Sequence, residues 1–143
     1  MLRIASKAFE KVKQHGEQTY PNECCGVLLG STTLTMNAVK AAVCCRNTKS
    51  ERTRYEIDPR ELVRIQRDAR ENGQEIVGFY HSHPDHPATW SQTDLQEAHW
   101  IGCSYVIVSV PEGVSAEVRS FRLRGKVEED KRFEEEEMEV VDE

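Results

Sequence analysis

No apolar run in this 143-residue chain approaches the roughly 18 residues that a membrane helix needs. The opening Met1-Leu2-Arg3-Ile4-Ala5-Ser6-Lys7 also lacks the apolar centre of a signal peptide. A cytoplasmic protein with no membrane partner is the expectation. A disulfide framework is missing too. The five cysteines (Cys24, Cys25, Cys44, Cys45, Cys103) are odd in number and contain no Cys-x-x-Cys, so they read as small buried hydrophobes in a reducing compartment. Nor is there a basic surplus. The net charge is -6, but residues 128–143 hold ten acidic and two basic groups, a balance of -8. The remaining 17 basic and 15 acidic residues leave residues 1–127 at +2, which gives no footprint for nucleic acid.

What is present suits one domain. The length allows a single core, and 38% hydrophobic residues are ordinary for a globular body with a polar tail. Residues 1–127 are expected to form that body and 128–143 an acidic tail, either disordered or ending in a strand at Met138-Glu139-Val140-Val141. Ser6 reads as the cap of a helix reaching about Gln18, with Ala5, Ala8, Phe9 and Val12 inward. Cys25 to Gly30, Leu34 to Cys45, Tyr55 to Ile57 and Glu117 to Arg124 read as strands. Asp58-Pro59-Arg60-Glu61 starts a helix that Asn72-Gly73 ends. Ile76 to His81 is an apolar run expected to be a central strand buried on both faces. Ser91 to Trp100 reads as helix and Ser104 to Val110 as strand. Alternating helices and apolar strands predict an α/β or α+β domain.

The chemistry concentrates at His81-Ser82-His83-Pro84 and Ser91-Gln92-Thr93-Asp94. Residues one apart in an extended segment point to the same side, so His81 and His83 can face one point. Two imidazoles and a carboxylate are the ligand types of a catalytic zinc, which keeps a fourth position for water. Asp94 also fits a second role, because Ser91-x-x-Asp94 is an N-terminal capping pattern, and the two roles are compatible. His86 competes as third ligand, while His99 and His15 are more distant, His15 on an expected solvated helix face. A water activated at such a site needs a base. Spacing does not choose it from the fifteen acids of the body, although Glu23 stands at the mouth of an apolar strand.

Taken together, Glu23 before Cys25-Gly26, Gly78-Phe79-Tyr80-His81-Ser82-His83-Pro84 and Ser91-x-x-Asp94 resemble the JAMM (MPN+) metalloprotease family over roughly residues 4–125. The resemblance implies one Zn2+ held by His81, His83 and Asp94. It implies Glu23 as general acid/base and Ser91 as a stabiliser of the oxyanion. The fold it implies is a curved mixed β-sheet flanked by helices, like that of cytidine deaminases. The reaction it implies is hydrolysis, by the zinc-bound water, of the amide bond after the C-terminal Gly-Gly of a ubiquitin-like protein. Trp90 departs from the pattern, because many bacterial members have proline before the serine. No long insertion separates Asp94 from the strand at Ser104, so the chain resembles the compact prokaryotic type that acts on sulfur-carrier proteins. A homodimer is among the expectations.

Two other classes compete. A non-catalytic binding module on the same fold would not need an intact Glu23 and a full ligand set. A cytidine-deaminase-like enzyme would need Pro-Cys-x-x-Cys ligands, which are absent. Arg60, Arg64 and Arg67 share a helical face, with Arg52, Arg54 and Arg70 nearby. They read either as a solvated face or as a dock for an acidic ubiquitin-like partner.

Overall fold

The computed structural model describes residues 1–142; Glu143, the end of the expected tail, lies outside the described residues. In chain order the elements are β1 (Leu2–Ala5), α1 (Ser6–Thr19), β2 (Cys25–Thr32), β3 (Asn37–Cys45), α2 (Pro59–Glu71) and β4 (Glu75–Pro84). They continue with α3 (Gln92–Glu97), β5 (Ser104–Val110), β6 (Val118–Arg124), β7 (Arg132–Glu136) and β8 (Met138–Val141). The strands form one mixed sheet in the order β7-β6-β5-β4-β2-β3-β1-β8. This is the mixed, helix-flanked α+β architecture expected.

β4 is the pivot. It runs antiparallel to β2 on one side and parallel to β5 on the other, and all but its first residue are buried. One sheet face packs on α1 through Ala8 and Val12, with Leu28, Tyr80 and Val108. The other packs under α2 through Ile65 and Ala69, with Val27, Phe79 and Tyr105. Gly26 is required where the Tyr80 ring lies over its backbone, since a Cβ there would overlap the ring. Gly73 takes the left-handed φ of +72° that stops α2.

The sheet's two ends are served by one segment. β7 pairs with β6 and, one residue later, β8 pairs with β1, at opposite ends of the strand order. Residues 132–141 therefore draw the sheet round on itself. The acids of β7 are not simply solvated, because they alternate against the arginines of β6. Glu134 meets Arg124, Glu135 meets Arg119, and Glu136 meets Arg122. Glu136 is largely buried and also accepts from the Ser104 and Ser120 hydroxyls at 2.6 and 2.9 Å.

Several local expectations need correction. Ser6 does not cap α1; it is the first helical residue, and Ala5, extended, sits at the cap because β1 runs straight into the helix. Tyr55–Ile57 is not a strand, since β3 is already flanked by β2 and β1 and offers no free edge. α3 stops at Glu97 rather than Trp100, because the Lys131 ammonium takes the Gln96 and Ala98 carbonyls in place of another helical turn. His15 is half-buried, its Nδ1 2.7 Å from the Tyr80 hydroxyl, rather than on a solvated face. The cysteines are free, and all but Cys44 are buried. Burial raises the thiols of Cys24, Cys45 and Cys103 to about 12, as unreactive core residues.

Candidate active site

The period-two geometry of β4 puts His81 and His83 on one side and Ser82 on the other. Ser82 is not idle. Its Oγ accepts from the Cys24 amide at 2.8 Å and its own amide donates to the Cys24 carbonyl, which carries the β2–β4 ladder past Cys25↔His81. That extension brings the preceding residue, Glu23, toward His83. Beyond it β4 is paired only with β5, so the histidine face is left open at the strand's end.

The third member comes from α3. Ser91 is the N-cap, its Oγ accepting from the Asp94 amide at 3.0 Å, while Asp94 Oδ2 accepts from the Ser91 amide at 2.9 Å. The same Oδ2 lies 3.1 Å from His83 Nε2 and 3.3 Å from His81 Nε2. Capping and convergence on the histidines are thus performed by one carboxylate. The two Nε2 atoms are 3.2 Å apart, which completes a nearly equilateral triangle of donors, and all three side chains are buried.

This triangle fits a small tetrahedral cation. With ligand bonds of about 2.0–2.1 Å, the ligands around zinc stand about 3.3–3.4 Å apart. The proton inventory points the same way. His83 Nδ1 is 2.9 Å from the Pro87 carbonyl, which can only accept, so in the neutral ring the hydrogen sits on Nδ1 and Nε2 presents a lone pair. That lone pair faces another imidazole nitrogen and a carboxylate oxygen, an arrangement that calls for a cation between them. Burial lowers the pKa of His81, against the raising effect of Asp94, and favours the neutral ring. Burial alone would raise Asp94, but the neighbouring His81 imidazole and the hydrogen bond from the Ser91 amide hold it well below the usual carboxylate range.

Glu23 is 2% exposed, and its Oε1 has no hydrogen-bond partner among the described residues. Burial, reinforced by the charges of Asp94 and Glu97, pushes it up to about 9. It lines one cavity with His83, His86, Trp90 and Ser91. The exposed Ser91 hydroxyl has spent an acceptor site on the cap, so its hydrogen remains free to donate. His86 lines the cavity but stays outside the donor triangle, and His99 pairs with Glu128 at the surface.

Two residues here escaped the sequence reading. Tyr55 stacks on His81, ring centroids 4.6 Å apart, and fixes the imidazole plane. Asn47, 8% exposed, binds four backbone groups. Its Nδ2 donates to the carbonyls of Glu23 and Arg54 at 3.1 and 3.0 Å, and its Oδ1 accepts from the amides of Lys49 and Glu56. The backbone beside Glu23 and the segment carrying Tyr55 are thereby joined through one amide. Nothing in a polar stretch such as Arg46–Glu51 marks which asparagine will be buried.

The family model described as prokaryotic homologues of the JAB domain matches residues 5–124. A desampylase of Haloferax volcanii is 38% identical over 117 residues, covering 78% of this chain and 82% of that protein. The CysO-cysteine peptidase of Mycobacterium tuberculosis is 31% identical over 124 residues, covering 86% and 83%. Among solved structures, a protein of Desulfitobacterium hafniense superposes with a TM-score of 0.85 at 30% identity, covering 100% of this chain and 94% of the other.

Proposed function

The chain belongs to the prokaryotic JAB family, the compact form of the JAMM/MPN metalloproteases, and is a hydrolase; on that premise we propose that it cuts the amide bond after the C-terminal Gly-Gly of a ubiquitin-like sulfur carrier, with zinc held by His81, His83 and Asp94. The observation that carries this reading is the donor triangle of 3.1–3.3 Å edges sharing a cleft with a buried Glu23 whose Oε1 has no hydrogen-bond partner among the described residues. The relatives' names support the substrate class, since a desampylase and a CysO-cysteine peptidase are both peptidases of carrier adducts. The same class makes a small protein with an extended tail the partner.

When bound, zinc supplies Lewis acidity and brings a water's pKa toward about 7. The chain's own groups do the rest. Glu23 Oε1, with no competing hydrogen bond, takes a proton from the attacking water and returns it to the leaving amine. A cation held at the triangle would oppose the rise that burial imposes on this carboxyl. The Ser91 Oγ–H, fixed by its cap bond, donates to the oxyanion as charge develops on the former carbonyl. Tyr55 and the Pro87 carbonyl hold the two imidazole planes still.

The test is intact-mass analysis of a Gly-Gly-ending sulfur carrier fused to a short C-terminal extension and incubated with the zinc-loaded chain. Cleavage after the second glycine by wild type, reduced about 100- to 10,000-fold in Glu23→Gln with zinc stoichiometry unchanged, is the expected result. A zinc-loaded chain that binds Gly-Gly carriers and cleaves none would replace this reading with a binding module.

A further inference from the structure

Beside the catalytic cleft lies a second cavity of about 360 Å³ that no step above uses. Its wall is mostly aromatic and aliphatic, from Tyr55, Ile57, Leu62, Phe79, Trp100 and Tyr105, with Glu56, Glu97 and His99 also lining it. It is continuous with the core cluster under α2 yet open at the surface, between α2 and the turn after α3. Two features connect it to the cleft. Tyr55 both lines the cavity and stacks its ring on His81. Arg54, which lines the cleft, reaches across to Glu97, which lines the cavity, at 2.9 Å. A single exposed ion pair therefore partitions two adjoining hollows. Such a pair contributes little to stability and can re-form around a ligand.

We infer that this cavity seats an apolar side chain of the substrate's extended tail, a few residues before the scissile bond, with the Arg54–Glu97 pair closing over the strand between seat and cleft. The inference rests on the reading of the chain as a Gly-Gly peptidase and adds a requirement on the residues upstream of those glycines. The reach is right. One aromatic ring separates His81 from the cavity, and an extended chain advances about 3.3–3.6 Å per residue. A tail whose two glycines lie beside His81 would therefore bring the residues just before them past that ring toward the cavity. Glycine has no side chain to seat, so a site that read only the two glycines would gain nothing from an aromatic hollow next door. An aliphatic or aromatic side chain buried there raises affinity and selects one tail over another.

The test measures binding, not turnover, so its failure is separable from failure of the peptidase reading. Two uncleavable peptides ending in Gly-Gly, identical except for leucine or serine at the third and fourth positions from the end, are titrated into the zinc-loaded full chain. Tryptophan fluorescence and calorimetry are the readouts. The leucine peptide is expected to bind about tenfold tighter or better. That preference should shrink to within about twofold in Trp100→Ala. Leu62→Ser, at the half-buried mouth, serves as a second variant should the first perturb the fold, and should reduce the preference likewise. Equal affinity for the two peptides, including no measurable binding of either, would overturn the inference. So would a leucine preference that survives undiminished in both variants, because the apolar seat would then lie elsewhere.

Discussion

Two clusters of buried charged and metal-ligating groups in this molecule are treated in opposite ways. At the seam where β7 meets β6, Glu136 faces the Arg122 guanidinium and receives two serine hydroxyls. Charge of one sign is met by charge of the other from within the same sheet. At the open end of β4, the lone pairs of His81, His83 and Asp94 converge on one point, and Glu23 Oε1 beside them has no hydrogen-bond partner among the described residues. The first cluster is balanced in charge within the fold, although Arg122 Nε and Glu136 Oε1 make no hydrogen bond among the described residues; the second converges on a point that a cation would complete. The same cost of burying polar groups thus produces a fastening in one case and a reactive centre in the other.

The strongest way to break this contrast is to remove one partner from the seam. Glu136→Gln leaves the Arg122 charge buried and uncompensated, so unfolding free energy should fall by about 3 kcal/mol in urea titrations. kcat should stay within about twofold of wild type. A variant as stable as wild type would mean that the seam's charges are not what fastens it.

At the site the expected effect is smaller per pH unit, and its signature is the pH dependence itself. Glu23 has a folded-state pKa raised to about 9 from 4.5, so in the metal-free protein the folded state keeps a proton that the unfolded state has lost. Stability is therefore fully present below about pH 4.5 and falls as pH rises toward 9, by on the order of 1 kcal/mol per pH unit. Glu23→Gln should flatten this slope in chelator-treated protein, measured by denaturation at pH 5, 7 and 8.5. Parallel slopes for the two proteins would remove Glu23 as the cause.

The third and smallest test concerns charges that belong to neither class. Arg60, Arg64 and Arg67 project from α2 with side chains 93%, 61% and 68% exposed. Reversing Arg64 and Arg67 to glutamate should raise KM for an acidic carrier a few-fold, with the effect fading as salt screens it, and leave stability within about 0.5 kcal/mol. An unchanged KM at low salt would class the stripe as a solvated face.

The site was more legible than the fold around it, for a physical reason. His81, His83, Ser91 and Asp94 lie within fourteen residues, and strand alternation plus one helix cap suffices to bring them together. Ser104–Val110 was equally plain, as a continuous apolar run. β1 and β7 were not. Four residues are too few to show a period, and Leu2 finds its partners at Asn37 and Met138, far along the chain. Arg132-Phe133-Glu134-Glu135-Glu136 looks like a solvated tail until the arginines of β6 are set opposite it. Tyr55–Ile57 failed in the other direction. Its residues favour a strand, but the preceding strand, β3, is already paired on both sides and offers it no edge.

The sheet's drawn-round shape also bears on how the molecule keeps to itself. The strands left at the ends of the order are only five and four residues long, and Glu134, Glu135 and Glu139 stand exposed on them. Short edges crowded with charged side chains disfavour pairing with a second copy that would extend the sheet. Without residues 132–141, β6 and β1 would become the ends instead, one open to an antiparallel newcomer and the other to a parallel one. The acid-rich segment is thus a guard against aggregation, laid over both places where stacking could begin.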